Sequence, residues 1–265
     1  MRPAECAERE SAMMVLKSIL IAFSMFSVIP VPQTEWNESS MRFSLCAFPL
    51  IGIVIALCCR GWWALCSVLS LPTVLQGAGL CLLPVWITGG IHLDGFADTS
   101  DALASHAGPE RKQEILKDSH TGAFAVIRLC GYFVLSFAFW ASVKELNILV
   151  LIGLFGLSRC LSGLALVWFP LRPGSGLARS FSDAANKRTV QIFTAGLALV
   201  FSALLFLGGA PLAPLAAVLV FLQYRLVCIR DFEGLSGDLA GWFLQRAELW
   251  MLAALVVCQY VEVLF

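Results

Sequence analysis

Charge is what this sequence has least of: Asp, Glu, Lys and Arg together make up 14% of its 265 residues, against about 25% in an ordinary soluble domain. That shortfall excludes a soluble globular chain. Neither sign is in surplus, because 18 Lys and Arg cancel 18 Asp and Glu. Binding to nucleic-acid phosphates needs a basic surplus, so nucleic acid is not an expected partner. No C-x-x-C spacing occurs among the 10 cysteines. Nearly all of them (Cys46, Cys58, Cys59, Cys66, Cys81, Cys130, Cys160, Cys228, Cys258) sit within apolar stretches, so they read as small lipid-compatible residues, not as a disulfide framework or a structural zinc site. The first apolar run is preceded by Glu5, Glu8 and Glu10 and followed by no small-residue cleavage site, so no removable signal peptide is expected. No internal repeat is visible, which weighs against an inverted-repeat transporter.

What the chain has in excess is apolar length, with 59% of its residues hydrophobic. About 20 consecutive apolar residues carry a helix across the roughly 30 Å hydrocarbon core of a bilayer. Residues 13–30, 43–69, 72–90, 123–143, 147–169, 189–209, 212–229 and 241–265 are candidates. The expected fold is all-α: a polytopic integral membrane helical bundle of seven to nine spans with cytoplasmic active-site loops, forming a single domain over 1–265. Two stretches leave the count open. Within 43–90, Arg60 lies either in a short loop between crossings, making three, or inside one long helix, making two; two is favoured. Segment 13–30 is short, bears Lys17 and ends in Pro30-Val31-Pro32, so it reads as crossing, half-inserted or interfacial.

Twenty of the charges fall in three windows, 91–122, 170–188 and 230–248. Lys and Arg concentrate in cytoplasmic loops. Arg111, Lys112, Lys117, Arg172, Arg179, Lys187, Arg188, Arg230 and Arg246 all lie in these windows, whereas the turns near Lys144 and Gly209 hold one cation and none. With two crossings between successive windows, all three open on the cytoplasmic side of the membrane and can converge on one site.

The most informative stretch is Gly89-Gly90-Ile91-His92-Leu93-Asp94-Gly95-Phe96-Ala97-Asp98-Thr99-Ser100-Asp101. Asp94, Asp98 and Asp101 follow i, i+4, i+7 spacing, which puts three carboxylates on one helical face. Like charges so stacked repel, and a hard divalent cation such as Mg2+, shared with substrate phosphate, relieves them. The bland reading is a solvated acidic cap at the end of a span. The segment from Glu110 to Gly122 reads as an interfacial helix in which Lys117 and the hydroxyls of Ser119 and Thr121 reach phosphate, or as a plain surface helix. Arg159 lies inside an apolar span, is costly in lipid, and is expected to face the bundle interior with substrate or an aspartate as partner. Arg128 and Arg225 are nearer span ends, where snorkelling suffices. The turns 172–179 and 234–238 are glycine-rich and can present backbone N–H groups to phosphate. Asp238 and Glu248 are candidates to close the acidic site.

These residues resemble the cobalamin synthase family, the adenosylcobinamide-GDP ribazoletransferases that assemble the nucleotide loop of cobalamin. The signature G-G-h-H-L-D-G-h-A-D-T-x-D is met by Gly89 to Asp101, followed by Lys117-Asp118-Ser119-His120-Thr121-Gly122-Ala123-Phe124. Phe48-Pro49-Leu50-Ile51-Gly52, Ser158-Arg159, Gly176-Leu177 before Phe181, and Gly234-Leu235-Ser236-Gly237-Asp238 with Glu248 extend the likeness over essentially the whole chain. Ala102 and Leu239 depart from the Gly and Thr usual there. The resemblance implies transfer of adenosylcobinamide phosphate from its GDP-activated form to α-ribazole or α-ribazole 5′-phosphate, with release of GMP. It implies Mg2+ on Asp94, Asp98 and Asp101, and His92 or one of those aspartates as base. Lys117, Asp118, Ser119, Arg159, Arg179 and Asp238 would contact substrate. It also implies a multi-pass inner-membrane protein that associates with other enzymes of nucleotide-loop assembly or with its own copies. Two competitors remain. A CDP-alcohol phosphotransferase would show D-G-x-x-A-R followed by G-x-x-x-D-x-x-x-D, and beyond Asp94-Gly95 this chain does not. A secondary transporter would explain Arg159 but not three clustered aspartates.

Overall fold

The computed structural model describes residues 3–118 and 120–261. In order these form α1 (Pro3–Phe26), α2 (Glu38–Met41), α3 (Ser44–Val68), α4 (Thr73–Thr88), α5 (Ile91–Ala104) and α6 (Pro109–Ile115). There follow α7 (Ala123–Ser142), α8 (Ile148–Trp168), α9 (Leu177–Ala184), α10 (Lys187–Leu207), α11 (Ala213–Phe232) and α12 (Gly237–Val261). The only β pairing among the described residues is an isolated parallel bridge between Leu171 and Leu235.

Six helices (α3, α7, α8, α10, α11 and α12) are long and apolar enough to cross a membrane, and α4 with α5, bent by 97°, make a seventh if taken as one broken span. The protein is therefore a multi-pass helical membrane protein with six candidate spans, or seven if the bent pair counts as one, at or just below the lower end of the expected seven to nine. Eight or nine are not reached because the apolar part of α1, Ala12–Phe26, is too short and α4 turns sharply instead of continuing. Arg60 lies inside the continuous α3, so 43–90 holds two helices, as favoured.

Lipid gives helices no hydrophobic reason to associate, so close packing through small residues does that work. α8 is the central helix, buried almost throughout from Val150 to Val167. Glycines bring its neighbours in: a Cβ on Gly52 of α3 would lie 2.4 Å from the Phe155 carbonyl oxygen, and one on Gly156 of α8 would lie 2.6 Å from the Phe201 ring of α10. The peripheral helices α7, α10 and α11 expose Ile127, Val134, Ile192, Leu199, Leu219 and Leu226, the apolar surface a bilayer would cover.

The bundle has two chemically different ends. Residues of all three charged windows meet at one, around a cavity reached by Asp94, Arg172 and Asp238. At the other, Arg60, Lys144, Asn147, Gly209 and Gln259 share a separate hollow.

Candidate active site

The site begins with the two glycines that end α4. Gly89 and Gly90 have φ of 64° and 78°, and two successive left-handed residues are tolerated because neither carries a Cβ. They turn the chain through the 97° that separates α4 from α5. α5 then packs on α12 at very short range. A Cβ on Gly95 would lie 2.7 Å from the Asp238 carbonyl oxygen, and one on Gly241 would lie 2.8 Å from the His92 carbonyl oxygen. This reciprocal backbone contact brings the aspartate-bearing helix against Asp238.

Two hollows flank α5. A partly open cavity of about 350 Å3 is lined by Phe26, Phe48, Leu166 and Phe181 together with a wall of His92, Asp94, Arg172, Ser175 and Asp238. The His92 ring lies 6.1 Å from Phe26 and 5.8 Å from Phe48, between centroids. Its Nε2 is buried without a hydrogen-bond partner among the described residues. A second groove, of about 420 Å3, is lined by Gly90, Asp94, Ala97, Asp98 and Thr121. Asp94 borders both hollows.

Asp101 is used differently. Its Oδ1 accepts from the Ala125 backbone N–H at 3.1 Å, capping α7, and a Cβ on Gly122 would come 2.2 Å from its Oδ2. Asp101 thereby ties the segment after α6 to α5. In that segment Lys117 and Asp118 are exposed. The His120 backbone N–H at 3.0 Å, and then its ring Nδ1 at 2.7 Å, hold the Asp118 carboxyl below the usual carboxylate range. Ser119 lies outside the described residues. The interfacial helix is only the two turns of α6, anchored by an ion pair of the buried Lys112 with the half-buried Asp231 of α11. Arg179 is exposed and donates to the Arg172 carbonyl at 3.5 Å, while Asp238 is half-buried and accepts from Ser236 Oγ at 3.3 Å.

Arg159 requires a correction. It is 1% exposed, and its Nη1 donates to Glu248 Oε1 of α12 at 2.7 Å and to the Phe155 carbonyl at 2.9 Å. Its partner is Glu248 and not an aspartate of the cluster, and neither residue lines the two hollows. Glu248 also accepts from Ser158 Oγ at 3.0 Å, so it closes the bundle core and not the acidic site.

No three His, Cys, Asp or Glu side chains among the described residues converge as a ready-made metal cage. The donor set still suits Mg2+, which takes one or two carboxylates and fills its remaining positions with phosphate and water. Asp94 and Asp98, one helical turn apart, border one groove and form no ion pair within 4 Å among the described residues.

Sequence reasoning took Arg172 only as a window cation and, with Ser175, as part of a glycine-rich turn, and it gave no role to Phe26 or to the aromatic wall that Phe26 forms with Phe48 and Phe181. In the sequence Arg172 reads as one more cation beside a span; only its burial, at 5% exposed, sets it apart.

A family model described as Cobalamin-5-phosphate synthase (CobS) matches residues 18–256. The adenosylcobinamide-GDP ribazoletransferase of Lachnoclostridium phytofermentans is 43% identical over 92% of this chain and 95% of its own length. Those of Clostridium botulinum and Geobacillus thermodenitrificans are each 32% identical, over 89% and 87% of this chain and 95% and 92% of their own lengths. No solved structure matches. The matched span contains the bent α4–α5 pair, the aspartates and the turns that converge on them, and by that match the chain belongs to the Cobalamin-5-phosphate synthase family.

Proposed function

We propose that this protein is a membrane transferase of cobalamin synthesis that moves adenosylcobinamide phosphate from adenosylcobinamide-GDP to a ribose hydroxyl of α-ribazole or its 5′-phosphate, releasing GMP. The carrying observation is the position of Asp94 on the border between a cavity with Phe26, Phe48 and Phe181 in its lining and a carboxylate-lined groove. A two-substrate transfer needs two such compartments meeting at the reacting phosphorus. The aromatic wall of Phe26, Phe48 and Phe181 suits the flat base of the acceptor. The groove beside Asp98 and Thr121 suits the diphosphate of the donor.

Asp94 and Asp98 would hold Mg2+, which when bound neutralises charge developing on the diphosphate. His92 Nε2, buried beside Asp94 and free of other partners among the described residues, accepts the proton of the attacking hydroxyl. The hydroxyl oxygen bonds to the corrinoid-side phosphorus, the bond from that phosphorus to the bridging oxygen breaks, and GMP leaves with that oxygen. Asp101 keeps Thr121 at the groove through its cap on α7. Holding both substrates in fixed orientation supplies much of the rate.

The site end faces the cytoplasm of a bacterial inner membrane in this reading. Arg172, Arg179, Lys187, Arg188 and Arg230 cluster there, whereas Arg60 and Lys144 border the opposite hollow. The test is GMP release by purified, lipid-reconstituted protein given adenosylcobinamide-GDP and either acceptor, with and without Mg2+. Release that depends on acceptor and Mg2+ is expected; no release under any condition overturns the assignment.

A further inference from the structure

Arg172 is buried in an unusual way. It is 5% exposed, and its Nε and Nη1 have no hydrogen-bond partner among the described residues. It makes no ion pair within 4 Å among those residues. Asp238 acts on it only from beyond ion-pair distance, so the buried N–H groups of Arg172 still lack the hydrogen bonds that a guanidinium in such a place normally finds. Ser175, 8% exposed, has an unpartnered Oγ on the same cavity wall.

The backbone around Arg172 is held firmly. Its N–H donates to the Leu235 carbonyl at 3.0 Å, and its carbonyl accepts from Ser175 N–H at 3.2 Å. Gly234, with φ of 148°, permits this approach, since a Cβ there would sit 2.5 Å from the Arg172 nitrogen. The donors are thus positioned before any ligand arrives.

We propose that Arg172 Nε and Nη1 together with Ser175 Oγ bind a phosphate group of an aromatic-base nucleotide seated in this cavity, an inference that rests on the transferase reading for the identity of the nucleotide. A small carboxylate ligand would satisfy the charge but leave the wall of Phe26, Phe48 and Phe181 uncovered; a nucleotide covers both. Asp94 and Asp238 also face the cavity. They lie on the same wall as Arg172, so an anion there is held by the guanidinium and the Ser175 hydroxyl against their repulsion. Two sources supply such a phosphate: the 5′-phosphate of the acceptor, and the guanylate phosphate of the donor, which departs as GMP.

The test compares wild type with Arg172→Lys, Arg172→Gln and Ser175→Ala in the lipid-reconstituted full chain. If the acceptor phosphate binds here, KM for α-ribazole 5′-phosphate rises about tenfold or more relative to KM for α-ribazole. If the guanylate phosphate binds here, inhibition by GMP weakens by a similar factor and the two acceptors shift together. Either split supports the phosphate site and names its source. Equal loss toward both acceptors with unchanged GMP inhibition marks a structural role and overturns the proposal. Ser175→Ala is the gentlest change and carries the same expected split should the Arg172 variants fail to fold. Direct binding of GMP and of α-ribazole 5′-phosphate, measured without turnover, reads the site even where GMP release fails. Wild-type affinity for both ligands in the Ser175→Ala and Arg172→Lys proteins overturns the proposal independently of the transferase assignment.

Discussion

Gly95 of α5 and Asp238 of α12 touch backbone to backbone: a Cβ on Gly95 would lie 2.7 Å from the Asp238 carbonyl oxygen, and Gly241 stands in the same relation to His92 at 2.8 Å. Neither glycine has a positive φ. They are required by proximity, and they place the residues of two charged windows around one cavity. Gly95→Ala and Gly241→Ala force the helices apart at a cost of about 1–3 kcal/mol, and GMP release should fall at least about tenfold because geometry at Asp94 is lost. Gly61→Ala, where a Cβ would meet nothing within 4 Å, is the control and should behave as wild type. Full activity in Gly95→Ala would break the argument from close approach.

The buried pair of Arg159 and Glu248 leads to a stability prediction. Arg159→Leu strands a buried carboxylate and should cost about 3–5 kcal/mol, whereas replacing both partners by apolar residues should recover most of that loss. Thermal unfolding in detergent reads the difference. GMP release per folded molecule should largely survive in the double variant Arg159→Leu with Glu248→Met, since neither side chain lines a hollow at the site. A double variant that is folded and inactive would restore Arg159 to the chemistry.

Asp94→Asn and Asp98→Asn keep shape and remove charge. Each should reduce GMP release by roughly a hundredfold or more while membrane insertion and unfolding temperature are retained. Chelation of divalent ions should stop wild-type turnover, and added Mg2+ should restore it. Wild-type turnover by Asp98→Asn would remove the metal assignment.

Asp101 separates a cap from a metal ligand. Asn retains the oxygen that accepts from Ala125 N–H, so Asp101→Asn should hold the α7 start in place while Asp101→Ala loses about 1 kcal/mol. Activity should follow the same order. Equal, severe loss in both variants would show that the charge of Asp101, and not its cap, is what matters. Gly122→Ala, whose Cβ would clash with the Asp101 carboxylate at 2.2 Å, should mimic Asp101→Ala.

Single cysteines at the exposed positions Ser105, Ser180 and Arg230 in a cysteine-free background should be labelled by an impermeant thiol reagent from the cytoplasmic side, and one at the exposed Glu145 from the other. Labelling of Ser105 and Ser180 from opposite sides would contradict a common site end.

Much of this was legible in the residues themselves. Apolar runs long enough to span a bilayer and charges confined to three windows determine a polytopic helical bundle, because lipid leaves a chain few other ways to satisfy its backbone. The i, i+4 spacing of Asp94 and Asp98 likewise places both on one face of whatever helix carries them. What tertiary structure decided was partnership. In sequence Arg159 and Asp101 look like parts of one polar site, yet packing sends Arg159 to Glu248 in the bundle core and Asp101 to the start of α7. Arg172 looks like an ordinary loop cation until Gly234 is seen holding its backbone at the cavity. Periodicity assigns a residue to a face of its own helix; which neighbouring helix meets that face, and whether a charge there finds a partner or is left for a ligand, depends on contacts between residues far apart in the chain, and these exist only once the bundle has packed.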